Sequence, residues 1–427
     1  MIETNIPEKK WQTILTLAIS ALGIVYFLIQ TLGLGVMWLT SFFDSQSGIT
    51  QSIPSGLLAW SSLLSSLLLV PVLLHSVYRL RDQEIPAWLD TSQPIISKVV
   101  IWLILAYPVV VFLGWLVAGS PRVATFLLGP INLLVAGLPV LWIYNEAQRK
   151  LPAGSQVRKW RIFGFSLTIM PVLVIIAELI ALMILALIGG LWLAYRLSVN
   201  PRLERELMYI FNQISIGGDL DTIIQLLKPY ILRPVVIFGA LAIFAGIMPM
   251  IEEILKPIAL WSLARRKITP REGFVGGLIC GAGFALMENV LYFTAAIMAE
   301  DWLFMAIGRA GTGVLHMLGS GLVGWGLAKA WRDGKWPFLA LTTLGAILFH
   351  GVWNSLALVA GVAPLYIYGS DATHWQTLLF YSPLILLLIA AAIALWLINR
   401  HFRKKQQIEE DQTESPETLD KISITDD

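Results

Sequence analysis

Charge is scarce in this chain. Asp, Glu, Lys and Arg make up 14% of its 427 residues, where a soluble domain carries roughly a quarter, so too little polar surface exists to face water all round. Cysteine is nearly absent: Cys280 stands alone, which excludes an intrachain disulfide and a thiolate metal centre. The formal net charge is only +2, and the basic residues cluster in short loops beside apolar runs, where membrane orientation accounts for them better than nucleic-acid binding does. Strict polar–apolar alternation over the apolar stretches is also lacking, which excludes a barrel of membrane strands.

What remains is hydrocarbon, 57% of the residues with a mean hydropathy of +0.73. Lipid is therefore the expected solvent, and the expected fold is an all-α, polytopic integral membrane bundle, because only helices satisfy their own backbone groups segment by segment in hydrocarbon. At about 20 apolar residues per crossing, spans fall near Trp11 to Leu32, Leu57 to Val77, Val99 to Ala118, Val123 to Tyr144, Ile162 to Tyr195, Val235 to Leu255, Phe274 to Met298, Leu303 to Ala328, Pro337 to Ala360 and Trp375 to Ile398. That makes about ten. The first apolar run is far longer than a signal-peptide core and reads as an uncleaved span. The fifth is long enough for two short crossings, with Pro171, Glu178 and Gly189-Gly190 as breaks. With one crossing there, Lys9/Lys10, Arg79/Arg81, Arg149 to Arg161, Arg265 to Arg271, Lys329 to Lys335 and Arg400 to Lys405 fall on one side. Both termini are then cytoplasmic by the positive-inside rule, and a bacterial cytoplasmic membrane is the expected location. The loops at Asp44 to Pro54, Glu300/Asp301 and Val362 to Thr373 lack Lys and Arg, as the outer side should.

The chain is expected to divide into an N-terminal region of about five spans over 1–197, a helical extracytoplasmic connector over 198–234, a membrane domain of about five spans over 235–399, and a tail over 400–427. The connector interleaves Arg202, Glu204, Arg205, Glu206, Asp219, Asp221 and Lys228 with Leu and Ile at helical rhythm. The tail, rich in Glu, Asp, Ser and Thr, has little to bury and is expected to be disordered.

Ionisable residues within apolar spans are costly and often mark function. Glu252 and Glu253 follow Pro249 at the end of the sixth span, Glu288 lies inside the seventh, His316 near the middle of the eighth, and His350 with Asn354 in the ninth. Spacing of four stacks Phe284, Glu288 and Tyr292 on one helix face. Gly273, Gly277 and Gly281, and in the next span Gly313, Gly319, Gly321, Gly324 and Gly326, make thin faces that let backbones approach. For each polar residue a bland role competes: a Glu252–Lys256 pair at the membrane edge, an interhelical bond from Glu288 or a histidine, helix glue from Asn354. Glu178 and His75 fit packing or snorkelling better than catalysis.

Glu252-Glu253-x-x-Lys256, Phe284-x-x-x-Glu288, His316 and His350-x-x-x-Asn354, in this order on successive spans, resemble the signature of the PrsW family of intramembrane proteases, relatives of the CAAX prenyl endopeptidases and bacteriocin-immunity homologues. The likeness covers roughly Val235 to Ala360. PrsW proteins favour Asp where Asn354 stands, as in the CAAX branch, and that branch has His in place of Glu288; this chain mixes the two patterns. The resemblance implies an endopeptidase acting on a membrane-associated protein or peptide, such as a single-span anti-sigma factor.

Glu252 is the leading general base, Glu253 its support, and Glu288, His316 and His350 the surrounding polar set. Asn354 is an oxyanion donor. Glu288, His316 and His350 are also candidate metal ligands, and two carboxylates with two imidazoles suit zinc; the same groups can activate water without a metal. The alternative class is an ion- or proton-coupled transporter using the same midplane acids and histidines. Membrane substrate and lipid are the expected partners; oligomeric state is not readable from sequence.

Overall fold

The computed structural model describes residues 10–41, 49–89, 99, 101–102, 104–151, 154–217, 220–264, 266–295, 299–368 and 374–422. Lys9, Asp44, Asp219, Arg265 and Thr373, named above as loop residues, lie outside these. The described residues are helical throughout, with no strand among them. Eight helices are long and apolar enough to cross a membrane, against the ten apolar stretches read from the sequence.

Two stretches account for the difference. The third is described as a short apolar helix, α3, Tyr107–Ala118. The eighth is split at Gly311 into α11, Ala299–Ala310, and α12, Thr312–Asp333, and the glycine-rich, largely buried α12 relies on protein rather than lipid for its surroundings.

The fifth apolar stretch is one uninterrupted helix, α5, Gln156–Ser198, despite Pro171 and the glycine pair. Its 43 residues extend roughly 64 Å at 1.5 Å per residue, more than a bilayer core needs. Missing backbone donors at proline are tolerated in such helices because local adjustments re-satisfy the freed groups.

Contacts divide the chain into two compact units that do not follow the sequence halves: 1–171, 253–346 and 385–427 in unit 1, 172–252 and 347–384 in unit 2. The first five apolar stretches are thus not a module of their own. In unit 1, α1, Lys10–Ser41, α2, Ile49–Leu80, and α4, Pro121–Ala147, pack with α10, Pro270–Ala295, around a core that includes Phe27, Leu57, Leu128, Leu167, Phe293 and Trp302. The fully buried Trp302 indole lies over Gly114, where any Cβ would overlap it, and donates to Asn132 Oδ1 at 2.7 Å. This polar tie gives α11 a fixed seat against α4.

Unit 2 holds the outer part of α5, the connector and the helices that follow it. The connector is helical, as its rhythm predicts: α6, Pro201–Ser215, begins with Asn200 capping the Leu203 N–H, and α7, Leu220–Ile231, follows. Tyr230 of α7 donates to Glu206 of α6 at 2.5 Å, and Arg202 donates to the same carboxylate at 2.8 Å. The Tyr230 hydrogen bond and then Arg202 hold the Glu206 carboxyl below its usual range.

After α8, Pro234–Leu241, the helix widens into a π-helical segment over Ala242–Ile247 before α9, Met248–Leu255. In unit 2 this segment meets α13, Trp336–Tyr368: a Cβ on Gly351 would overlap the Ala245 carbonyl. The last helix, α14, His374–Ile422, continues past residue 400, where the sequence suggested a disordered tail. Arg271 binds Glu409 at 2.8 Å, and Gln406 binds Glu410 one turn on, ties that composition alone does not disclose.

Candidate functional site

Unit 1 arranges its ionisable residues in a continuous chain. At Leu255, α9 tightens into a 3-10 segment over Lys256–Leu263, with Pro257 in its first turn. Side chains three apart then eclipse, and Lys256 pairs with Glu253 at 2.8 Å rather than with Glu252 as an i,i+4 reading would have it. Both side chains are fully buried, at 0% exposure. The ammonium also lies 2.8 Å from Nδ1 of His316 and 4.6 Å from the centre of the Phe284 ring.

The opposite edge of the imidazole is equally engaged. Nε2 of His316 is 2.8 Å from Oε2 of Glu288, and Arg309 binds the same oxygen at 2.5 Å. Arg309 also donates to Asn289 Oδ1 at 2.8 Å and lies over the Tyr292 ring at 4.3 Å. With the lysine ammonium donating to Nδ1, the imidazole proton belongs on Nε2, where it is donated to Glu288. Two carboxylates and two cations alternate around a neutral imidazole, the balance that low-dielectric burial demands.

Backbone approach makes this closeness possible. The α10 glycines fit against α12: a Cβ at Gly277 would overlap the Ser320 carbonyl, and one at Gly281 the His316 carbonyl. Gly273 and Gly324 are likewise in backbone contact. One turn beyond His316, Gly319 leaves room for the Glu253 carboxylate, which a Cβ would approach to 2.6 Å. The face predicted from the spacing of Phe284, Glu288 and Tyr292 is occupied at each position: Phe284 against His316 and Lys256, Glu288 between His316 and Arg309, Tyr292 under Arg309.

Unit 2 carries a second, looser pair. Nε2 of His350 is 4.0 Å from Oε1 of Glu252, both side chains being buried. That gap is too long for a hydrogen bond and of the span a bridging water closes. Asn354, one turn along α13, donates to the Phe244 carbonyl at 2.9 Å, inside the π-helical segment where a backbone acceptor is released. One of its amide hydrogens is thereby committed.

A metal can be tested against these donors. Glu252, Glu253, His316 and His350 are buried and of ligand type. In unit 1, Glu253 Oε1 and His316 Nδ1 already converge on one positive centre, the Lys256 ammonium. Glu288 stands behind His316 at the other nitrogen, the arrangement that orients a metal-ligating histidine, so its place suits support better than direct ligation. Carboxylate oxygen and imidazole nitrogen are donors zinc accepts, and the residues fit a divalent ion.

The remaining ionisable residues named from the sequence lie elsewhere. His75, in α2, is 3.3 Å from the Leu89 carbonyl and stacks on Trp160, a packing role. Glu178 lies half-buried in the unit 2 part of α5. Arg309 was missed by sequence reasoning, although a lone arginine inside an apolar stretch, twenty-one residues from Glu288, was a usable signal.

Residues 207–394 match the model of a family described as PrsW family intramembrane metalloprotease. No curated protein and no solved structure matches the chain. The matched stretch is wider at both ends than the likeness read from motifs, runs from α6 into α14, and includes Glu252, Glu253, Glu288, His316, His350 and Asn354. Over 207–394 the chain is therefore a PrsW-type protease domain, and the protein is an enzyme of the membrane that cleaves peptide bonds.

Proposed function

We propose that this peptidase is an endopeptidase of the bacterial cytoplasmic membrane that hydrolyses a peptide bond in a single-span or membrane-associated protein, with both of its own termini on the cytoplasmic side. The observation that carries the reading is the buried convergence of Glu253 and His316 on a cation, backed by Glu288, within the family-matched stretch. The orientation rests on loop charge.

Glu253 and His316 are proposed to hold a divalent ion, zinc by donor preference, with His350 as a further ligand of the same kind. When bound, the ion would supply Lewis acidity toward water and the scissile carbonyl. Glu252 takes the proton of the attacking water and returns it to the leaving amine, as a buried general base does. His350, at a water's distance from that carboxylate, keeps it oriented. Glu288 fixes the His316 ring, and Arg309 holds Glu288 ionised against burial. The second amide hydrogen of Asn354, beyond the one given to Phe244, is the donor proposed for the oxyanion. The consecutive positions of Glu252 and Glu253 support joint action of the two acids.

The test uses the purified full chain in liposomes with a panel of single-span membrane proteins, wild type against Glu252→Gln, with and without a chelator. Cleavage by wild type, lost in the folded variant and on chelation, is the expected result. Ion flux without cleavage sinks the protease mechanism in favour of transport, and cleavage that survives chelation removes the metal.

A further inference from the structure

Away from these acids, unit 1 contains a cavity of about 130 Å³. Leu15 and Ile19 of α1, Leu69 and Val72 of α2, and Phe165 of α5 give it apolar walls, and Ile258 of the 3-10 segment closes one side. Its polar end is built differently. Arg161 of α5 donates to Gln12 Oε1 at 3.4 Å, and Arg266, from the loop before α10, donates to the same oxygen. Gln12 in turn donates to the Ser262 carbonyl at 3.2 Å. Two guanidiniums thus meet on one neutral amide oxygen beside an apolar hollow.

Gln12 lies at the start of α1, Arg161 in the second turn of α5, and Arg266 just past the 3-10 segment. All are at helix ends, where a membrane interface falls, and loop charge assigns that side to the cytoplasm. Basic pockets between membrane helices on this side recognise anionic lipid headgroups. The hollow is close in size to a cavity of about 150 Å³ known to admit a benzene-sized apolar guest, so it can take a short run of acyl carbons while the rest of the chain continues into the bilayer.

We propose that this cavity binds an anionic phospholipid, its phosphate on Arg161 and Arg266 and the upper part of one acyl chain against Leu15, Ile19 and Phe165. Both features are needed to choose the occupant. A free phosphate would use the guanidiniums and leave the apolar wall idle; a zwitterionic lipid would fill the wall and gain little from two cations. The 3-10 segment that lines the cavity follows directly from Lys256, so the lipid would rest against the same element that carries the buried ammonium.

Native mass spectrometry of the full chain in a neutral detergent tests this, titrating phosphatidylglycerol and phosphatidylcholine of equal chain length. Wild type is expected to bind phosphatidylglycerol at least about fivefold more tightly, Arg161→Gln to lose that preference, and Arg161→Lys to keep most of it. Ile19→Trp, which fills the hollow and leaves the charges, is expected to weaken both lipids. Should Arg161→Gln fail to fold, Arg266→Gln, in a loop, asks the same question. Equal binding of the two lipids by wild type, or an unchanged preference in Arg266→Gln and Arg161→Gln, overturns the assignment. Full displacement of phosphatidylglycerol by millimolar inorganic phosphate also overturns it, making the site one for a free anion.

Discussion

The acids of this protein are held in two contrasting ways. In unit 1, Glu253, Lys256, His316, Glu288 and Arg309 are linked one to the next at 2.5–2.8 Å, so each charge depends on the one beside it. In unit 2, Glu252 and His350 stand 4.0 Å apart, with room for a small molecule between them. The first arrangement is a support whose worth lies in being complete; the second is a pair that must admit water to be useful. Substitutions should therefore separate along this line, unit 1 affecting stability and unit 2 turnover.

The sharpest test is Glu252→Gln and His350→Ala, which are expected to reduce cleavage by about 10²–10⁴-fold, the range of lost acid–base catalysis. Their melting temperatures should stay close to wild type. Lys256→Met is the counterpart: it leaves buried partners without their cation and should cost about 3–5 kcal/mol of stability, seen as a large fall in thermal midpoint in detergent. A stable Lys256→Met protein would collapse the distinction between the two regions.

Next in size comes packing. Gly281→Ala forces a methyl into the His316 carbonyl and should destabilise by about 1–3 kcal/mol, again measured by thermal unfolding. Glu288→Gln is expected to lower metal affinity by about 10–100-fold, as loss of a carboxylate behind a ligating histidine does, read by competition with a chromophoric chelator. The smallest effect belongs to the connector. Because the folded-state pKa of Glu206 is depressed, its bonds to Tyr230 and Arg202 contribute above the ordinary carboxylate range and are lost as pH falls through the lowered value. Hydrogen exchange in α6 and α7 should quicken at acid pH in wild type and lose that pH dependence in Glu206→Gln.

Much of this was legible in the residues. Long apolar runs announced the helical membrane class, the interleaved charges of 198–234 announced α6 and α7, and the four-residue spacings in α10 announced both its thin face and its polar one. Hydropathy is a sum over a window, however, and backbone irregularities leave no mark in it. The break at Gly311, which brings Arg309 to Glu288, and the 3-10 turn, which gives Lys256 to Glu253 instead of Glu252, were hidden for that reason. The two units were hidden as well, because tertiary contacts join stretches far apart in the chain.

The π-helical segment carries a consequence for how such a protein can change. A π-bulge amounts to one residue inserted into an α-helix, and each residue of an α-helix turns the chain by about 100°. Gly246 sits in that segment with open space around its Cα, so its deletion meets no steric bar. The helix would close to regular geometry and swing every side chain downstream, Glu252 and Glu253 among them, to a different azimuth. A single in-frame codon loss is then enough to misaim both acids while sparing the hydrophobic content that lets the helix insert.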